Sequence, residues 1–321
     1  MQTAIIYAFS GTFHTLKAAR MIGDALQKRG VHTRVCEVKL PLDALPSPAG
    51  YDIVGFGYPV HAFNAPEVFI RFVRQLPASS QHAFIFKTSG EPFPLNNASS
   101  GMLYRLLRRK GYDVTLDMHM LMPYNIMFRY KDALAKQMVL YTEAQSRMLA
   151  LRIVSEERDD IRFSIRHSLV SFLLRIEWLA PKVNSPLCSA NMKKCTLCGR
   201  CAQMCPTKNI RIENDKVMFD GHCALCMRCT MFCPQDAIRF GILNPWKVNG
   251  GYNFKRLLAD PAIPWDFVRE DTTGYFRLFR KYYRNADAVL ARYGIRLAVP
   301  EAQEASVEMA DDPEVDAIGM G

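Results

Sequence analysis

The residues of this chain best able to do chemistry are its cysteines. It has ten, and eight of them fall between Cys195 and Cys233. Cys195-x2-Cys198-x2-Cys201-x3-Cys205-Pro206 recurs as Cys223-x2-Cys226-x2-Cys229-x3-Cys233-Pro234, 28 residues further on. The copy extends past the cysteines, because CPTKNIRI at 205–212 aligns with CPQDAIRF at 233–240. This is a duplicated unit, not a chance cluster. A cubane [4Fe–4S] cluster needs four thiolates at the corners of a tetrahedron, and three cysteines in one tight loop cover one side of it. Structural zinc also takes four cysteines, but usually as two CxxC pairs, so the spacing favours iron–sulfur. Cys36, on an expected strand, and Cys188, just before the repeat, lie outside the pattern and read as small apolar residues. Met1–Ser10 has no basic n-region, so no secretory signal is expected. The thiols are then expected to serve as ligands in a reducing cytoplasm rather than as a disulfide framework.

The run resembles bacterial-type 2[4Fe–4S] ferredoxins over roughly fifty residues. In such two-cluster proteins the fourth ligand of each cluster comes from the other motif. The resemblance thus implies one cluster on Cys195, Cys198, Cys201 and Cys233, and a second on Cys223, Cys226, Cys229 and Cys205. Ligands shared across motifs hold the two clusters close enough to exchange electrons.

A second constellation lies near the N-terminus. Ser10-Gly11-Thr12-Phe13-His14-Thr15 ends an apolar run and opens a helical pattern. Hydroxyls and backbone N–H groups at a helix N-terminus form a phosphate cradle without a counter-charge, although Ser and Thr also simply cap helices. Two further loops, Gly57–Pro66 and Thr88–Phe93, offer aromatic rings and backbone polar groups of the kind that would hold a flat amphipathic ring. Neither nucleotide fingerprint is present. Gly55-Phe56-Gly57 has Val60 where a third glycine would stand, and no GxxxxGK[ST] occurs. Met118, Met120 and Met122 alternate, as the buried face of a strand does. No Ser/His/Asp or paired-carboxylate arrangement supports hydrolysis.

The elements that must position these loops alternate. Apolar runs at 3–9, 31–38, 52–57, 83–88 and 112–120 are separated by helical stripes at 14–28, 67–76 and 101–110. Read in order this is β-α-β-β-α-β-α-β, a parallel sheet with helices on both faces. Five strands at this spacing fit the flavodoxin-like order. Residues 3–120 resemble a flavodoxin domain, and the whole chain resembles the flavodoxin–ferredoxin fusion ("ferrodoxin") proteins of anaerobic microbes. The family's phosphate loop reads Ser-Gly-Thr-Gly-Asn-Thr. Ser10, Gly11, Thr12 and Thr15 match it; Phe13 and His14 do not. The stretch 59–66, Thr88-Ser89-Gly90 and Met122-Pro123-Tyr124-Asn125 also look familial. The resemblance implies FMN held by residues 10–15, Tyr58, Pro59, Val60, Phe63, Asn64, Thr88, Ser89 and Gly90. The alternative is a domain that has lost its flavin and only docks partners.

The expected organisation is a flavodoxin-like five-stranded domain at 1–128, a helical linker at 129–187, an α+β ferredoxin domain at 188–243, a mixed extension at 244–300 and an acidic tail at 301–321. In the linker, Leu134, Met138, Tyr141, Gln145, Met148 and Arg152 share a helical line, and Ile161–Ala180 is rich in Leu, Ile and Phe but carries Arg162, Arg166, Arg175 and Glu177. Both read as helices that bridge the first domain to the cysteine region, packing and spacing elements more than membrane-surface ones. Pro181–Pro186 is expected to break its second helix. The chain is 49% hydrophobic, enough for sizeable cores, yet its apolar runs stop well short of the ~18 residues of a membrane span. Net charge is +10, and it is uneven. Residues 161–300 hold 22 basic and 10 acidic side chains, whereas the tail holds seven acidic and none basic, and is expected to fray. Lys193, Lys194, Arg200 and Lys208 flank the cysteines. They suit an acidic carrier such as a ferredoxin or flavodoxin better than nucleic acid, for which no recognition fold is present. The resulting expectation is an electron-transfer protein serving a reductase. The alternatives are an iron–sulfur flavoenzyme that reduces a small organic substrate, with Trp246 and Trp265 of the extension walling its pocket, and a docking module for one reductase.

Overall fold

In the computed structural model, which describes residues 1–299, five strands form one parallel sheet. They are β1 (Thr3–Ala8), β2 (His32–Glu37), β3 (Ile53–Pro59), β4 (His82–Ser89) and β5 (Asp113–Leu121), in the order β2-β1-β3-β4-β5. Between them run α1 (His14–Gln27), α2 (Glu67–Gln75) and α3 (Gly101–Arg109), the alternation expected from the apolar pattern. A parallel sheet is buried on both faces, so its strands read as unbroken apolar runs. In β1, Ile5 and Tyr7 enter one core, and Ala4, Ile6 and Ala8 enter the other. Gly55 and Gly57 lack side chains because the rings of Phe84 and Phe86 on β4 cross over them. That packing, and not a nucleotide, explains the Gly-Phe-Gly run. Strand order reverses between β1 and β3, and a doubly wound sheet opens a crevice at the carboxyl ends of such a pair.

The long α4 (Asp132–Val154) was expected to bridge two modules. Instead its C-terminal half packs on the sheet layer, with Leu149, Ala150 and Ile153 joining the α1 core. Its N-terminal half is buried by the C-terminal extension, whose later helices are given below, through Leu134, Met138 and Tyr141 against Phe254, Phe279 and Tyr283. A helix covered on opposite sides is buried nearly all round, here with polar Lys136, Gln137, Thr142 and Ser146 among its buried residues, which is why its expected one-sided line gave no hint of the sandwich. Gln145 on that line meets the Tyr282 hydroxyl at 3.0 Å.

After α4 come α5 (Ile165–Leu174), a 3₁₀ stretch and α6 (Ala180–Asn184). Pro181 stands in the first turn of α6, where proline is tolerated. The cysteine region follows. β6 (Cys188–Ala190) pairs antiparallel with β9 (Ile238–Phe240), which closes the region. Between them are the one-turn helices α7 (Arg200–Gln203) and α8 (Arg228–Met231). β7 (Ile210–Glu213) and β8 (Lys216–Phe219) form a hairpin turned by Asn214 and Asp215, both left-handed. The duplication is visible in the backbone. Leu197 and Leu225, Gly199 and Met227, and Lys208 and Asp236 are pairs 28 residues apart, and all six have positive φ. α9 (Phe254–Ala259) and α10 (Arg277–Arg292) complete the extension over α4. The acidic tail at 301–321 lies outside the described residues.

Candidate functional site: a cleft and two cysteine cavities

A cleft of about 490 Å³ lies at the β1/β3 switch, a size typical of small-molecule sites. Of the residues expected from the sequence, Ser10, Gly11, Thr12, His14, Thr15, Pro59, Val60, Phe63, Thr88, Ser89 and Gly90 line it. The loop's hydroxyls are oriented by the protein. The Leu16 N–H donates to Ser10 Oγ at 3.3 Å, and Asn125 Nδ2 donates to Thr12 Oγ1 at 2.7 Å. Each hydroxyl is thereby used as an acceptor, which leaves its own proton free for an anion. Thr15 Oγ1 and Thr88 Oγ1 share a hydrogen bond of 2.7 Å across the cleft floor. The N-cap residue Phe13 supplies no side-chain cap to α1, and of the first-turn amides Leu16 N–H is the one given to Ser10 Oγ. His14 adds no donor here. Its Nδ1–H points to the Pro123 carbonyl at 3.0 Å, and burial lowers its pKa to about 4, keeping it neutral. Apolar and aromatic walls come from Phe93, Tyr124, Met127 and Trp246.

Three expected residues do not line the cleft. Tyr58 is fully buried beneath it, its hydroxyl 3.0 Å from Ser99 Oγ. Asn64 ties α5 to the sheet domain: it donates to the Ser171 carbonyl at 2.8 Å and accepts from Ser171 Oγ and Arg175 Nε. Phe13, which stands where the loop pattern has glycine, has φ 67°, a left-handed geometry that glycine adopts readily. Its ring turns away from the cleft to stack 4.1 Å from the Arg228 guanidinium and 5.5 Å from Phe232. The loop keeps a glycine-like backbone although it lacks the glycine.

The cysteines surround two small cavities. Cys195, Cys198, Cys201 and Cys233 line one; Cys205, Cys223, Cys226 and Cys229 line the other. Each takes three cysteines from one motif and its last from the other. Among the described residues no three His, Cys, Asp or Glu side chains converge as ligands of a single ion would. Backbone N–H groups already point at sulfur in the same way in both repeats: Asn209 N to Cys205 Sγ and Ala237 N to Cys233 Sγ, both 3.2 Å. Such bonds stabilise thiolate charge. Cys36 and Cys188 are buried and line neither cavity.

The cleft and the second cavity touch. Cys226 lines both, with Leu225 and Met227 beside it in the cleft wall. Gly11 makes the contact possible, since a Cβ there would sit 2.7 Å from the Cys226 carbonyl oxygen. Arg228, which the sequence reading passed over as a spacer, fixes this junction. It is 3% exposed, and its guanidinium donates to the Gly11, Ser10 and Met204 carbonyls at 2.7, 2.6 and 2.8 Å and to Glu37 Oε1 at 2.5 Å. Asn125 and Glu91, from stretches already named, also reach the cleft, as does Glu177 of the linker. Burial pushes the Glu177 carboxyl up to about 7.

A family model described as a 4Fe–4S binding domain matches residues 190–211. No curated protein matches the chain. Among solved structures the chain is similar to oxidised flavodoxin 1 from Bacillus cereus, at 14% identity and TM-score 0.37 over 48% of this chain and 98% of that one. It is similar to the flavodoxin of Streptococcus pneumoniae TIGR4 at 12% identity and TM-score 0.36, covering 48% and 99%. Rubredoxin oxygen:oxidoreductase from Desulfovibrio gigas gives 14% identity and TM-score 0.36, covering 49% of this chain and 36% of that one. The chain thus joins, through Arg228, a sheet in flavodoxin-like order to a region that matches a 4Fe–4S binding domain at 190–211, which supports a redox role and at least one [4Fe–4S] cluster.

Proposed function

We propose that this protein relays single electrons between two [4Fe–4S] clusters and an FMN, for delivery to a reductase. The clusters are assigned to Cys195, Cys198, Cys201 and Cys233, and to Cys205, Cys223, Cys226 and Cys229; the FMN is assigned to the cleft. The observation that carries this reading is Cys226, which belongs to a four-cysteine cavity and to the cleft wall at once. FMN exchanges one or two electrons and each cluster exchanges one, so together they couple unlike donors and acceptors. The chain's own residues suit these roles. Ser10, Thr12 and the α1 amides present protons to a phosphate. Tyr124 and Trp246 give aromatic faces for a ring. Four soft sulfurs around each cavity suit iron–sulfur better than a hard cation.

The route of the relay follows from exposure. Cys198, in the first cavity, is exposed, and Cys226, in the second, is buried. Lys193, Lys194 and Lys208 are exposed near the cysteines, a basic rim for an acidic carrier. Electrons then enter at the surface cavity and leave through the cleft, or the reverse. Anaerobic reconstitution is expected to give about eight irons and one FMN per chain, and electron exchange with an acidic ferredoxin should slow as salt rises. Zinc in place of iron, or no retained flavin, overturns the proposal.

A second reading, a flavoenzyme, is favoured by one feature: the extension sends Trp246 into the cleft wall beside Leu243. Trp265 of the same extension does not reach it. Substrate-dependent reoxidation of the reduced protein by quinones, nitroaromatics or enoates, faster than by free FMN, would establish the enzyme instead of the carrier.

A further inference from the structure

The described fold leaves one dense run of large apolar side chains uncovered. Ile165, Leu169, Phe172, Leu173, Ile176 and Val183 are all exposed, Ile165 by 86% and Ile176 by 71%. The first five recur at i, i+4, i+7, i+8 and i+11, one face of a helix. Soluble monomers rarely leave such a contiguous patch to water. The segment is also a ridge. Ser171 is the only buried residue of α5, anchored on Asn64 and the Phe63 carbonyl, so the helix touches the body along a narrow line. Its charge is one-sided: between 161 and 187 there are four arginines and lysines and a single acid, Glu177, which faces the cleft. Arg166 and Lys182 of the segment are both exposed.

We propose that residues 165–187 dock this protein in the plane of an anionic lipid surface. A protruding apolar ridge with basic flanks sinks ~5–10 Å into the headgroup–acyl boundary, and each nearby cation adds attraction to anionic lipid. An interface with a passing redox carrier would instead be small and polar at its rim. Among the described residues no helix is long and apolar enough to cross a membrane, so the contact is peripheral. Glu177 and Ala180 of the same segment line the cleft, so docking sets the cleft beside the bilayer. The proposal goes beyond the relay and does not depend on it, because the ridge carries no cofactor ligand.

The test is flotation of the full-length, reconstituted protein with vesicles of phosphatidylcholine alone or with about 30% phosphatidylglycerol. Binding to the anionic vesicles is expected to exceed binding to the neutral ones about tenfold, and to weaken with salt. Phe172→Glu/Ile176→Glu should reduce it at least about tenfold while far-UV dichroism and the visible spectrum stay unchanged. Arg166→Glu/Lys182→Glu should remove the preference for anionic lipid while leaving the folded protein intact. No vesicle binding by the unaltered protein overturns the proposal. So does a dimer, seen by light scattering, that Phe172→Glu/Ile176→Glu dissociates, since a second copy would then cover the ridge.

Discussion

Replacing Arg228 with methionine keeps much of its volume and removes every polar contact that its side chain makes at the junction of the two modules. The guanidinium makes four hydrogen bonds, three of them to backbone carbonyls and one to Glu37. Both partners of the ion pair are buried, at 3% and 9% side-chain exposure. Breaking a buried pair by deleting one partner costs about 3–5 kcal/mol, because a charge is left uncompensated. Here Lys39 Nζ stands 3.8 Å from Glu37 Oε2 and takes up part of that charge, so the lower end, about 3 kcal/mol, is expected. The cost should fall on docking more than on either core, since Arg228 bonds to the Ser10–Gly11 loop and not to the sheet interior. Hydrogen exchange reads this directly: Arg228→Met should deprotect the amides of residues 10–15 and 223–231 together, leaving β3 and β4 protected. Adding Glu37→Gln should recover about 1–3 kcal/mol of the loss, the coupling typical of contacting residues. A loss under about 1 kcal/mol with both loops still protected would refute the claim that this residue locks the modules.

Two further outcomes follow from the same geometry. Cys233→Ser should lower iron from about eight to about four per chain and deprotect 195–201 rather than 223–229; deprotection of 223–229 instead would contradict the interleaved ligand sets. Burial lowers the pKa of His14 and His61 to about 4 and of His119 to about 3, the last with help from Lys87. These rings are neutral when folded but take up protons near pH ~6.5 when unfolded, so they favour the fold above that pH and cost stability as pH falls toward their folded values. Each steepens the loss by up to about 1.4 kcal/mol per pH unit. Urea midpoints measured from pH 7 to 5 should therefore fall, and fall less steeply in His61→Leu; an unchanged slope would show that His61 is not buried neutral.

The sheet was legible in the sequence because parallel strands buried on both faces leave unbroken apolar runs, and the loops at their ends then have nowhere to go but the crevice. Ser10, Thr12, Thr15 and Thr88 all stand there. What a loop does with each side chain was not legible. Asn64 and Tyr58 belong to the right segments, yet one anchors α5 and the other fills the core. Phe13 was read as a departure from a glycine. A left-handed non-glycine residue costs about 1–2 kcal/mol, whereas burying a phenylalanine returns about 1.5–3 kcal/mol and a desolvated cation–π contact about 2 kcal/mol more. The balance favours the ring once Arg228 stands beneath it, and nothing local to residue 13 announces that.

Arg228 shows why the cysteine repeat both reveals and hides. Its spacing singles out eight cysteines because a cubane fixes where sulfur must be, but it treats the residues between them as filler. The repeat even carries the same residue in both copies, since Arg200 stands 28 positions before Arg228 and each opens a one-turn helix. Arg200 is only half-buried, on the side of the exposed Cys198. Arg228 is sealed against Ser10, Gly11 and Phe13. The two copies differ in what the other module presents to them, a fact carried by Gly11, more than two hundred residues away. A glycine that admits the Cys226 carbonyl and an arginine that grips the same turn are one device. That device selects which of two near-identical cysteine cavities meets the cleft.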